Sequence, residues 1–293
     1  MLRAIEFFSG LGGWRYALGS NGAPAGRGAV VAAYDVSQVA NAVYDLNFGD
    51  APIARELSSI PTVEICRHGA NAWFLSPPCQ PFCRMGRGRG LEDPRSAAFL
   101  RLMDILPQAG PTRLVLENVE GFLGSPAFDL FVGRLRAIGL EWRVFNLCPT
   151  QFGIPNRRPR TFIAAGACGV DDRPKPSVGP APLSDYLDKQ EDDGLYLPQS
   201  TIDRHGPGMD VVGTDSRRSA CFIGGYGKKL VGAGSFLQTE RGLRRFSPGE
   251  ISRLMGYPSG FRFPPGLSLG NRYKLLGNGL NLTVAAWVLD RLG

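Results

Sequence analysis

The sequence predicts an α/β protein: a mostly parallel sheet covered by helices on both faces, joined to a small irregular second domain. Three observations lead there. Short apolar runs alternate with helix-like runs through residue 166, the pattern of strands buried on both faces. The alternation stops at a stretch carrying Pro174, Pro176, Pro180 and Pro182. A chain of 293 residues, 43% of them apolar, is also long enough for one well-packed α/β domain and a smaller companion.

Strand signals fall at 4–8, 29–34, 72–75, 113–116, 142–145 and 161–164, with helical runs at 38–47, 97–106 and 127–138. The stretch 183–243 is glycine-rich with weak periodicity. Regular structure returns at Ser247 and Glu250, spaced as a capping box with Pro248 at the first helical position. A last apolar helix runs over 281–292. The expected division is 1–166, then a small domain at 167–243, then 244–293 returning to complete the first.

The net charge is +7, and five of the 33 basic residues are lysine. The basic excess favours a polyanionic partner, and guanidinium groups suit phosphates and base edges. A GC-rich genome accounts equally well for the arginine bias. The six cysteines form no CxxC pair, and the two histidines lie far from metal-ligand spacing, so no metal is expected. No apolar run of about 18 residues occurs, so no membrane span is expected, and a cytoplasmic location follows by default.

Four motifs carry chemistry. The turn Phe8-Ser9-Gly10-Leu11-Gly12-Gly13 closes the first strand, and Asp35 ends the second with Val36 beside it. A glycine turn admits a ligand to the backbone, and a carboxylate there accepts from ribose hydroxyls. A tight turn and a helix-capping aspartate look the same singly; together they favour an adenosine-bearing cofactor. Second, Ser76-Pro77-Pro78-Cys79-Gln80 follows a buried strand. The proline pair stiffens the approach to Cys79, a candidate nucleophile rather than a buried structural thiol. Third, Glu117-Asn118-Val119 follows the next strand, which sets an acid beside that thiol; an ordinary helix cap is the plainer alternative. Fourth, Arg158 and Arg160 alternate after Pro155 and are expected on one face of an extended segment. A solvated basic edge is the alternative there.

In this order, and with Leu276-Gly277-Asn278 before the last helix, the motifs resemble the cytosine C5-methyltransferase family over the whole chain. Cys221-Phe222-Ile223, Gly225-Tyr226-Gly227, Leu237-Gln238-Thr239 and Arg272-Tyr273-Lys274-Leu275-Leu276-Gly277-Asn278 resemble one branch of it. That branch was first named as the second DNA methyltransferase homologue, and it methylates cytosine 38 in the anticodon loop of tRNA. The short, arginine-rich chain fits a bacterial member.

The resemblance implies a Rossmann-like S-adenosylmethionine-dependent methyltransferase fold, with 167–243 as the target-recognition domain. It implies Cys79 as nucleophile, Glu117 at the substrate ring, and Arg158 and Arg160 as the electropositive setting of the thiolate and a grip on sugar-phosphate. For the cofactor and its product S-adenosylhomocysteine it implies Phe8, Gly10, Leu11, Gly12, Gly13, Asp35, Val36, Leu57, Ser58, Ser76, Asn278 and Gly279. Asn71 stands where the family often has Asp, and is expected to accept from the adenine amino group. For tRNA, with weak DNA binding besides, it implies Arg84, Arg95, Cys221, Lys228 and Lys229. The basic residues Arg217, Arg218, Arg241, Arg244 and Arg245 lie around the last three. Ile223 and Gly279 replace the usual Thr and Ser. Two other readings stay open: a DNA cytosine methyltransferase, and an inactive nucleic-acid-binding homologue.

Overall fold

The structure is a computed structural model that describes residues 1–19, 27–78, 90–166 and 179–292. Packing gathers these residues into two compact units. One is built from Met1–Leu147, Pro159–Asp171 and Ala285–Gly293, the other from Cys148–Arg158 and Asp172–Val284.

The first unit holds a six-stranded sheet: β1 (Leu2–Phe7), β2 (Gly28–Tyr34), β3 (Ala72–Leu75), β4 (Arg113–Asn118), β5 (Trp142–Leu147) and β6 (Arg160–Ala165). Their order is β2-β1-β3-β4-β6-β5. The first four are parallel, and β6 runs antiparallel to both β4 and β5. All six expected strands are therefore present, and a mostly parallel sheet is the result. Helices α1 (Gly13–Leu18), α2 (Gln38–Phe48), α3 (Thr62–Cys66), α4 (Ala97–Ala109) and α5 (Pro126–Ala137) make the connections.

Strand alternation sorts the sheet into two buried faces. Ile5, Phe7, Trp73, Leu75, Leu114, Leu116 and Ile163 share one apolar cluster with Phe99, Leu102, Leu106 and Phe131 of α4 and α5. The alternate positions Ala4, Glu6, Ala72, Phe74, Val115, Phe162 and Ala164 are also buried, none more than 2% exposed. Burial on both faces explains why the strands read as continuous apolar runs.

Glu6 is the exception within that second face. Its carboxylate accepts from the Trp14 backbone N–H at 3.0 Å and from the Tyr44 hydroxyl at 3.3 Å. Burial pushes its pKa up from 4.5 to about 8, against the smaller opposing effects of those two hydrogen bonds and of Arg15.

The second unit carries α6 (Gln199–His205), β7 (Asp210–Gly213), β8 (Ser235–Thr239), β9 (Gly242–Arg245), α7 (Pro248–Leu254) and α8 (Leu269–Asn278). The strands form a small sheet, with β7 parallel and β9 antiparallel to β8. Each is only four or five residues long, which is why weak periodicity was all the sequence showed. The capping box is present: Ser247 Oγ accepts from Glu250 N–H, and Glu250 Oε2 accepts from Ser247 N–H. Glu250 is also gripped by both terminal nitrogens of Arg244, a pair that is 0% and 3% exposed. That pair fastens α7 to β9, so 244–284 pack with the second unit, whereas the sequence grouped 244–293 with 1–166. Helix α9 (Leu282–Leu289) carries the chain back into the first unit. No helix among the described residues is long and apolar enough to cross a membrane.

Between pH 4.5, where an ordinary glutamate ionises, and about 8, the folded protein holds a proton on Glu6 that the unfolded chain releases. Stability associated with Glu6 is therefore complete below about pH 4.5 and lost as pH rises through about 8, by at most about 1.4 kcal/mol per pH unit. Glu6→Gln keeps an acceptor for Trp14 and removes this loss. Urea unfolding should show the variant gaining on the wild type by a few kcal/mol between pH 5 and pH 8.5; parallel pH dependences would refute the assignment.

Candidate active site

The turn after β1 is held in an uncommon backbone shape. Phe8, Gly10 and Gly12 have φ of 57°, 52° and 73°. For a bulky residue such as Phe8 this is a strained conformation that persists only when its surroundings impose it. Two contacts help to impose it: Ser9 N–H donates to Tyr34 O, and Gly10 N–H donates to Asp35 Oδ2 at 2.8 Å. Asp35 Oδ1 accepts from Ser37 N–H at 2.8 Å, and burial raises the carboxyl above its usual range. Each oxygen keeps lone pairs for further donors. Val36 beside it is 60% exposed, an apolar surface next to a desolvated acceptor.

The glycines do different work. A Cβ on Gly10 would meet nothing closer than 4.0 Å, so that side of the turn is open. A Cβ on Gly12 would stand 2.3 Å from the Phe48 ring, so Gly12 is required by packing against α2. Leu11 and Gly13 are buried, and Leu11 can offer a ligand only its backbone.

At the same end of the sheet, Ser76 and Pro77 follow β3. The Trp14 indole N–H donates to Ser76 Oγ at 2.9 Å. Asn118, only 1% exposed at the end of β4, donates to Pro77 O at 3.2 Å and accepts from Val119 N–H. Its role is thus to hold the approach to Cys79 rather than to cap a helix. Glu117 stands opposite Phe162 across β4 and β6, and its Oε1 lies 3.2 Å from Arg160 Nε. The structure brings together the glycine turn, Asp35, Val36, Ser76, Glu117 and Arg160. Cys79 and Arg84 lie outside the described residues.

Other expected site residues are placed differently. Asn71 precedes β3, at the opposite end of the sheet from Asp35; its amide accepts from Arg3 N–H and donates to Met1 O, so an adenine contact is withdrawn. Leu57 is 3% exposed and packs in the core cluster, whereas Ser58 beside it is exposed. Arg158 precedes β6 and belongs to the second unit, whereas Arg160 opens β6 in the first. It is 3% exposed, and its guanidinium donates to Cys221 Sγ and to the carbonyls of Phe222, Gly277 and Gly279. Arg158 and Cys221 therefore hold the second unit together, and a grip on sugar-phosphate is withdrawn for Arg158. Arg95 forks onto the Asp93 carboxylate, which neutralises its charge.

The expected basic cluster is thinner than the sequence implied. Arg244 is buried against Glu250, Arg218 pairs with Asp210, and Arg241 pairs with Glu191 and Asp193. Lys228, Lys229 and Arg217 remain exposed. A cleft of about 790 Å³ in the second unit is lined by Asp188, Glu191, Asp215, Glu240, Arg241 and Arg244 among others. Arg253, Arg241 and Arg244 already engage its acids Asp188 and Glu191; of the motifs it carries only Leu237-Gln238-Thr239, and neither the glycine turn nor Glu117 and Arg160. Asn278 and Gly279 lie at the end of α8 in the second unit. A Cβ on Gly277 there would stand 2.2 Å from the backbone of Ile223 and Gly224, which explains the glycine in Leu276-Gly277-Asn278.

Sequence reasoning missed Glu6 and Trp14. The one available signal was an acid inside an otherwise apolar strand. From this geometry, Arg158→Lys should cost about 2–4 kcal/mol, because one ammonium cannot replace a fork spread over three carbonyls. Arg160→Lys should leave the denaturation midpoint near that of the wild type. Equal stability losses in the two variants would contradict the distinction.

Comparison with known proteins agrees with this geometry. Residues 2–179 and 197–293 match the family described as C-5 cytosine-specific DNA methylase. A protein of Schizosaccharomyces pombe named tRNA (cytosine(38)-C(5))-methyltransferase is 33% identical, over 99% of this chain and 96% of its own length. The human protein of the same name is 31% identical, over 99% of both chains. The solved structure of the Entamoeba histolytica methyltransferase EhMeth superposes with a TM-score of 0.92 at 28% identity, covering 100% of this chain and 98% of that one. With a family match over most of its length and full-length relatives above 30% identity, the chain belongs to the C-5 cytosine-specific DNA methylase family.

Proposed function

We propose that the chain transfers a methyl group from S-adenosylmethionine to C5 of a cytosine in the anticodon loop of tRNA, through a covalent bond between Cys79 and C6 of the base. The observation that carries this reading is the convergence at the carboxyl end of β3 and β4. There Asn118 holds Pro77, two residues before Cys79, and Glu117 stands beside Arg160.

The residues present fit the cofactor. Asp35 offers acceptor lone pairs to a ribose diol, Val36 an apolar surface to an adenine, and Gly10 an open approach to the turn. When bound, S-adenosylmethionine supplies an electrophilic methyl group on a sulfonium. The target ring needs activation by the protein, because C5 of cytosine is a poor nucleophile. Addition of the Cys79 thiolate to C6 makes C5 enamine-like. Charge developing at N3 is met by Glu117, protonated or sharing a proton with N3, which also reads the N4 amino group. Arg160 orients that carboxyl. After C5 has taken the methyl group, its proton leaves and the C6–sulfur bond breaks, which restores the aromatic ring and the free thiol.

The relatives' names support tRNA over DNA as substrate. So do the exposed Lys228, Lys229 and Arg217 in the second unit. An unpaired loop base also costs less to extrude than a duplex base. On this reading 167–243 recognises the target, and the protein works in the cytoplasm.

Two measurements test the proposal. Cys79→Ala should abolish methyl transfer and trapping by 5-fluorocytosine RNA while keeping S-adenosylhomocysteine binding; substantial turnover would remove Cys79 from its role. Turnover at matched salt should favour anticodon-loop RNA, and equal rates on duplex DNA would make the chain a DNA methyltransferase. For the cofactor, Asp35→Ala should weaken binding by about 1.5–3 kcal/mol, the worth of a charge-assisted hydrogen bond. Unchanged affinity by calorimetry would refute the ribose contact.

A further inference from the structure

Trp14 is the largest side chain at the functional end of the sheet, and no motif includes it. It is 1% exposed and makes contact in four directions. Its backbone N–H donates to the Glu6 carboxylate of β1 at 3.0 Å. Its indole N–H donates to Ser76 Oγ, beyond β3, at 2.9 Å. Its ring packs on Phe74 of β3 at 5.6 Å and edge-on against Phe162 of β6 at 6.2 Å. Phe162 is the residue that faces Glu117 across the ladder. Trp14 thus lies in the first turn of the helix that follows the glycine turn while touching β3, Ser76 just beyond it, and β6, the strand that carries Arg160.

Burial gives these contacts their force. A Trp with its N–H satisfied is a rigid body with two rotatable bonds, and its ring surface is large. The indole is buried, so breaking its bond to the half-buried Ser76 hydroxyl leaves an unpaired donor. Ser76 is joined to Pro77, which Asn118 holds from β4. A displacement of the turn at residues 8–13 is therefore transmitted through one side chain to the segment that leads to Pro78.

We infer that Trp14 is a positioning residue: through its indole N–H it fixes the cofactor turn and the Ser76–Pro77 segment as one unit, so that a filled turn and a correctly presented nucleophile go together. The inference rests on the methyl-transfer reading above and adds to it the residue that couples cofactor to nucleophile. Trp14→Phe keeps an aromatic ring towards Phe74 and Phe162 but loses the donor and part of the indole's volume; Ser76→Ala loses only the acceptor.

The test uses the full chain with Trp14→Phe, Ser76→Ala, the double variant, and Ser76→Thr, which restores a hydroxyl. Single-turnover methylation at saturating RNA and cofactor should fall roughly tenfold in either single variant, the worth of one hydrogen bond. The double variant should fall no further, because both changes break the same bond. Ser76→Thr should recover the rate, Trp14→Phe should keep S-adenosylhomocysteine affinity near wild type, and every variant should be fully folded at the assay temperature in the absence of urea. Additive losses, a loss confined to KM for the cofactor, or no loss would overturn the inference. A readout that needs no turnover separates it from the parent reading. The Trp14 indole N–H resonance, identified by its absence in Trp14→Phe, should move in Ser76→Ala and return in Ser76→Thr. A resonance that stays in place rejects the contact even in an active enzyme. A wild type that methylates neither RNA nor DNA rejects the parent reading instead.

Discussion

A polypeptide leaving a buried parallel strand must reverse within a few residues if it is to present backbone to a ligand, and the turn at residues 8–13 does so with a left-handed Phe8. Local preference opposes that conformation, so buried acceptors supply the restraint. Asp35 takes the Gly10 N–H, and Glu6 takes the Trp14 N–H. Both carboxyls are desolvated, and both are raised above their ordinary range for that reason. Such groups are tolerated because each accepts more than one hydrogen bond, and the turn is ordered by the same contacts.

The rest of the first unit follows from that restraint. Tyr44 donates to Glu6 and its ring packs against Phe48, and these two rings leave no room for a Cβ on Gly12. Helix α2, capped by Ser37 two residues after Asp35, is thereby tied to both ends of the turn. Across the sheet, alternation puts Glu6, Phe74, Glu117, Arg160 and Phe162 on a common face, where the Glu117–Arg160 pair stands at the strand ends. Position in the ladder, more than charge alone, brings that pair together.

The second unit uses buried charge differently. Arg158 and Arg244 are each 97% or more removed from solvent and spend their guanidinium groups on carbonyls and on Glu250. A small, loop-rich unit has little apolar core to draw on, and its aromatic cluster of Phe222, Tyr226, Phe236, Phe246 and Tyr273 is supplemented by these multi-donor clamps. A basic net charge therefore overstates the positive surface available to a polyanion.

The amino-acid sequence by itself determined the strands, the parallel character of the sheet, the capping box at Ser247 and the ordered motifs that mark the family. All of these depend on local pattern: apolar runs, turn residues and short spacings are written contiguously in the chain. It also placed Asp35, Ser76, Glu117 and Arg160 at strand ends, where such folds carry chemistry. Tertiary structure alone decided which arginine pairs with Glu117 and which with backbone carbonyls, since Arg158 and Arg160 are two residues apart in sequence and differ only in what folds against them. It alone put Asn71 at the opposite end of the sheet, sank Leu57 into the core and assigned Asn118 to Pro77. Trp14 shows the reason most directly: its partners Glu6, Ser76, Phe74 and Phe162 are 8, 62, 60 and 148 residues away along the chain. No local pattern records a contact made only when four segments of the chain are brought together.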